Sequence, residues 1–126
     1  MKLAEISRIL QANWLTGGLK PLETREVLRA CGADLMSDIL THTQEGTLLI
    51  TGLTTGQVVK TALLIDLAGV VFVRGKRPGR EVVLEAEEHN IPLLATERSF
   101  YESCGLLYQA GLPGCRTGFP ILGGLS

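Results

Sequence analysis

Three short apolar runs recur at an even interval, and that recurrence limits the fold more than any other feature of the chain. Leu48-Leu-Ile-Thr51, Val70-Val-Phe-Val73 and Pro92-Leu-Leu-Ala-Thr96 alternate with helix-like segments between Gly46 and Gly111. Counted between positions taken as equivalent, Leu49 to Val71 and Val71 to Leu93 each span 22 residues, room for one short strand, one helix and a return. Such a unit, repeated, predicts strands lying parallel with helices between them. The fold class expected is α/β, a three-layer sandwich with a mainly parallel sheet built from βα repeats.

At 126 residues the chain fits one domain with a single core. A formal net charge of -1 gives no whole-chain attraction for nucleic acid or an anionic membrane, so neither is expected as a partner. Met1 to Glu5 lacks the apolar run of a signal peptide, and no stretch approaches ~18 uninterrupted apolar residues. A cytoplasmic location is the expectation. Cys31, Cys104 and Cys115 are odd in number and match neither a disulfide framework nor a Cys-x-x-Cys knuckle, so they read as free thiols. Cys104, in register with Phe100 and Leu107, reads as a small core side chain.

Leu3, Ile6, Ile9 and Leu10 predict an amphipathic helix over residues 2–12, and Asn13 to Thr16 reads as extended. Glu26 to Cys31 is compatible with helix or strand. Asp34 to His42 predicts a helix with Asp34 as its N-cap and Asp38 favouring the positive end of the dipole. Asp34, Asp38 and His42, four apart, would share one face of that helix, which admits a divalent cation as an alternative to capping. Gln57 to Ala68 reads as a buried helix ended by Gly69, and Val70 to Val73 as a central strand covered on both faces. Glu81 to His89 reads as an amphipathic helix, with His89 a C-terminal residue favoured by the dipole. The last helix carries Phe100, Cys104 and Leu107 inward and stops at Gly111 and Pro113. Residues 112–126 form a tail rich in Gly and Pro. Phe119, Ile121 and Leu122 are expected to pack on the domain or a neighbouring subunit, hence a homo-oligomer.

In a parallel sheet the loops after the strands share one edge, and helix N-termini point their amides toward it. Those loops carry Thr51, Gly52, Thr54, Thr55 and Gly56, then Arg74, Lys76 and Arg77, then Thr96. Glycines allow close approach, hydroxyls donate hydrogen bonds and guanidinium groups suit phosphate or carboxylate oxygens. A small anionic metabolite or nucleotide is the ligand class these residues predict. Gln57 stands where a Walker A loop needs lysine, no Gly-x-Ser-x-Gly elbow occurs, and His42 and His89 have no evident nucleophile partner. No catalytic residue, cofactor or metal is therefore assigned. Two alternatives stay open: a metal-assisted phosphoester or nucleotide enzyme using Asp34, Asp38 and His42, and a protein-interaction module whose basic Arg74 to Arg80 loop docks an acidic partner protein.

From about Leu3 to Gly111 the chain resembles the DRTGG domain family. The resembling features are Asp34-Leu-Met-Ser37-Asp38-Ile-Leu40, the Gly46 to Thr51 strand, the Ala62 to Val71 passage, and Ala86 to Leu94 leading to Thr96. The namesake letters do not occur as a string; the nearest region is Glu23 to Gly32. The resemblance implies residues 1–111 as a small α/β module, similar to the N-terminal domain of HPr kinase/phosphorylase, with a regulatory or ligand-sensing role and no catalytic step. It also implies Asp34, Ser37 and Asp38 as residues of the family pattern.

Overall fold

A computed structural model describes residues 1–16 and 20–115, apart from the side chains of Lys20 and Pro21. In chain order the elements are α1 (Leu3–Leu10), β1 (Asn13–Trp14), α2 (Lys20–Glu23), β2 (Arg29–Gly32), α3 (Met36–His42), β3 (Thr47–Thr51), α4 (Gly56–Ile65), β4 (Gly69–Phe72), α5 (Arg80–Glu88), β5 (Leu93–Ala95) and α6 (Phe100–Gln109). One sheet takes the order β1-β5-β4-β3-β2. β2, β3, β4 and β5 are mutually parallel in sequence order, and β1 closes the β5 edge antiparallel. Right-handed crossovers between strands laid down in one direction put α3, α4 and α5 on a single face. The apolar contacts agree. Ile39, Val58, Val59, Ala62, Val82 and Ala86 meet Leu49, Val70, Phe72 and Leu93 on that face. On the other, Leu3, Ile6 and Leu10 of α1 and Leu107 of α6 meet Leu48, Ile50, Val71 and Leu94.

The sheet is therefore covered on both sides, and β3 and β4 are buried along their whole length. Phe72, fully buried at the end of β4, is the largest of these core side chains. The ambiguous Glu26 to Cys31 segment resolves into the parallel edge strand β2 at Arg29–Gly32.

Three expectations change. Leu49 pairs with Val70, not Val71, and Val71 pairs with Leu94, not Leu93. Positions 22 apart thus lie on opposite faces, because a one-residue step along a strand turns the side chain over. α4 ends before Gly69, at Asp66 in the left-handed conformation, with φ of 62°. Nor is α4 buried all round: Leu63 is 49% exposed and Leu64 is 78% exposed. The tail from residue 116 onward, with Phe119, Ile121 and Leu122, lies outside the described residues. Leu112 is buried against the α1–α6 face, and Gly114 bridges Ala30 in parallel.

Candidate functional site

The four parallel strands end at one edge, and the loops that follow them come together there. Asp34 comes from the β2–α3 loop, Gly52 to Thr55 from β3–α4, Arg74 to Gly79 from β4–α5, and Thr96 to Ser99 from β5–α6. Asp34 is not the N-cap of α3. Leu35 holds that position, and no side chain caps the helix. The Asp34 carboxylate instead reaches across to β3: its Oδ1 accepts the Gly52 N–H at 2.7 Å and the Thr51 hydroxyl at 3.2 Å. With Asp34 off the helix, the proposed face of Asp34, Asp38 and His42 does not exist. Among the described residues no group of three or more His, Cys, Asp or Glu is placed to hold a metal.

The β4–α5 loop opens with a tight turn in which Arg74 and Gly75 both have positive φ, 56° and 69°. Its Lys76 N–H donates to Val73 O at 3.1 Å. Glycine takes this conformation freely, whereas at Arg74 it costs roughly 1 kcal/mol. Fixed partners hold it there: Arg74 N–H donates to Arg98 O and Gly75 N–H to Thr96 O, both at 2.9 Å. The turn directs the Arg74 guanidinium over Gly52. A Cβ on Gly52 would stand 3.1 Å from Arg74 Nη2 and 3.5 Å from Asp34 Oδ1. A cation and a carboxylate therefore flank one partly exposed glycine.

The helix starts at this edge differ. The Ser99 hydroxyl caps α6 by accepting the Glu102 N–H at 3.1 Å, and α5 has Glu81 in its first turn. α4 has neither a side-chain cap nor an acidic residue in its first turn, although Thr55 stands at its N-cap. Its first amides have no intrahelical acceptor and carry the positive end of the dipole. That end lies at the same edge as Gly52 and as the β4–α5 loop, where Arg74, Lys76, Arg77 and Arg80 are exposed.

Not every expected ligand residue is free. Thr51 and Thr96 are buried, and their hydroxyls are used internally. Thr51 Oγ1 accepts the Leu53 N–H at 3.1 Å besides donating to Asp34. Thr96 Oγ1 donates to Leu10 O at 2.7 Å and accepts the Arg98 N–H at 3.2 Å. Both shape the loops and do not face the edge. Arg98 is also engaged, with Gln11 Oε1 at 3.0 Å and Glu102 Oε2 at 3.5 Å. Thr54, Thr55 and Gly56 line the approach to α4, and Ser37 and Asp38 lie on the exposed side of the first turn of α3.

His42 ends α3 and His89 caps the C-terminus of α5, which puts both histidines at the opposite edge of the sheet. Imidazole acid–base chemistry is thus remote from the cationic loops. A hollow of about 600 Å³ runs along α6, past Tyr101, Leu106 and Tyr108, but the described residues that line it all belong to that one helix. One helix face is a surface and not an enclosed binding site. No helix among the described residues is long and apolar enough to cross a membrane.

The DRTGG domain family matches residues 5–110. No match was found among curated proteins. Among solved structures, the chain is similar to the CBS and DRTGG domains of the regulatory region of Clostridium perfringens pyrophosphatase, complexed with the activator diadenosine tetraphosphate. The TM-score is 0.66 at 17% identity; the similarity covers 89% of this chain and 47% of the other, so this chain spans about half the length of that structure.

Proposed function

Because the chain belongs to the DRTGG domain family, we propose that it is a non-catalytic regulatory domain that senses a small anionic ligand, of the nucleotide or phosphate-ester class, at the carboxyl edge of its sheet. One observation carries this reading: the start of α4, uncapped and with no acidic residue in its first turn, follows Gly52, and the Arg74 guanidinium, carried by a positive-φ turn, lies over the same glycine across from the Asp34 carboxylate. Backbone amides and a guanidinium at one place suit phosphate oxygens. Lys76 and Arg77 add exposed charge for encounter and contribute little to shape. A regulatory region among the similar structures, complexed with a dinucleotide activator, supports the choice of ligand class.

The test is a thermal-shift and calorimetric panel of inorganic phosphate, mono- and triphosphate nucleotides and diadenosine tetraphosphate. A saturable shift with at least one of them, lost in Arg74→Ala, is the expected result. If every ligand leaves the melting temperature unchanged, the proposal fails.

A second reading rests on a different surface. Leu40 on α3, Leu63 and Leu64 on α4 and Leu84 on α5 are all about half exposed or more, on neighbouring helices of one face. Such leucines suit a protein contact, with a partner or with another copy of the chain. Light scattering across a concentration series, compared with a Leu64→Lys variant, separates a self-associating domain from a monomeric one.

A further inference from the structure

The three cysteines, far apart in sequence, all come to the edge strand β2. After α6 the chain runs back along this strand: the Ala30 N–H donates to Pro113 O at 2.8 Å, and Ala30 and Gly114 form a parallel bridge. One residue further, Cys115 stands beside Cys31, and parallel neighbours in register send their side chains to the same face. The Cys31 and Cys115 thiols are thus close enough that Cys115 is, after burial, the largest influence disfavouring ionisation of Cys31. Cys115 Sγ also lies 3.9 Å from Thr47 Oγ1. Cys31 pairs with Leu49, whose side chain belongs to the α3–α5 face. Cys104 is on α6, across the strand, with its sulfur 3.0 Å from where a Cβ on Gly32 would stand.

We infer that Cys31 and Cys115 form a disulfide under peroxide, and that this bond staples the segment after α6 to the open edge of the sheet. Neighbouring positions on adjacent strands fall within the Cα separations a disulfide spans. In the reaction, the Cys115 thiolate attacks the peroxide O–O bond and becomes a sulfenic acid, releasing hydroxide. The Cys31 sulfur then attacks the Cys115 sulfur, the S–O bond breaks, and the second oxygen leaves as water with the Cys31 proton. In total two thiols are oxidised and one hydrogen peroxide is reduced to two waters. Burial first, then Cys115, Cys104 and Asp38 of α3, push the Cys31 thiol up to about 11, so it brings its proton into the step that closes the disulfide. Burial also raises the Cys104 thiol, which sits behind the strand and has no such partner.

The experiment treats the full chain with a small excess of hydrogen peroxide, followed by alkylation and peptide mapping without reductant. Two of three thiols should be lost, with one linked peptide joining Cys31 to Cys115, and the melting temperature should rise until dithiothreitol is added. Cys104→Ser should keep the bond; Cys31→Ser and Cys115→Ser should each abolish it. Circular dichroism establishes that each variant is folded, and the wild-type map decides the linkage if one is not. A linkage that includes Cys104, a bond only between chains, or three thiols that still react in full would overturn the inference.

Discussion

Gly52→Ala separates the proposed ligand site from the fold. Gly52 lacks positive φ, so alanine fits its backbone, and the exchange restricts the unfolded chain in the stabilising sense by about 0.4–1 kcal/mol. Against this, the new methyl would approach Arg74 Nη2 to 3.1 Å and the Asp34 carboxylate oxygens to 3.5 Å and 3.7 Å. The tightest neighbour is the free end of an exposed arginine, which relieves the contact by moving a few tenths of an ångström. The two effects are of similar size, and net stability should stay within about 0.5 kcal/mol of wild type. Binding should not stay the same. The methyl occupies the approach to the α4 amides and pushes the guanidinium off its position. A charge-assisted hydrogen bond is worth roughly 1.5–3 kcal/mol, which is about 10- to 150-fold in affinity. Urea denaturation measures the first quantity, and titration calorimetry with whichever phosphate ligand shifts the wild-type protein measures the second. A folded Gly52→Ala protein that binds with wild-type affinity would refute the placement of the site.

Further outcomes follow from the same geometry. Gly32→Ala looks like the same exchange but should cost about 1–3 kcal/mol in urea denaturation, because its methyl would meet the Phe100 ring at 2.5 Å and Cys104 Sγ at 3.0 Å, where nothing can swing away. Phe72→Ala removes the largest fully buried side chain and should cost about 3–5 kcal/mol, close to the whole stability of a small domain; a melting curve like wild type would contradict the assigned core. For Cys31, a pKa raised to about 11 in the folded protein favours the protonated thiol, so this contribution to stability is complete below the ordinary thiol pKa and is lost as pH rises toward about 11. Its alkylation rate should climb across that same interval in the folded chain, and a midpoint near pH 9 would show the thiol to be unperturbed.

Much of this could be read from the sequence because local patterns and the fold agree. Thr47–Thr51 is apolar and β-branched, bounded by glycines, and it forms β3 over the same residues. Val70 to Val73 reads as a strand covered on both faces, and β4 lies between β3 and β5 with helices on either side. Register was less legible. Counting residues between apolar runs cannot detect that the two crossovers differ in length, and a one-residue error exchanges the faces of Leu49 and Val71. Asp34 misled for a related reason. Its letter fits an N-cap, yet a carboxylate serves any nearby amide, and the parallel pairing of β2 with β3 brings the Gly52 N–H closer than its own helix.

The shared edge of the candidate site was legible, and the roles of its residues less so. Collecting the loops at one edge needs only the βα alternation, and Gly52, Arg74 and Lys76 do gather there. Thr51 and Thr96 were drawn in by the same rule, but a hydroxyl at a strand end is equally suited to close the turn that follows, and that is how both are used. The left-handed backbone of Arg74 had no signal in the sequence beyond the glycine after it. The convergence of Cys31 with Cys115 had none either, since it depends on where the chain returns after α6.

The most direct test of the central claim is an amide chemical-shift titration of the ¹⁵N-labelled chain with diadenosine tetraphosphate and, separately, inorganic phosphate. Saturable shifts confined to Gly52, Gly56, Gln57 and Arg74 through Arg77 would place the ligand where the uncapped α4 helix and the Arg74 turn meet. Shifts that cluster instead on α6 or around Arg25 and Asp66 at the opposite edge, with the Gly52 and Arg74 amides unmoved, would contradict it.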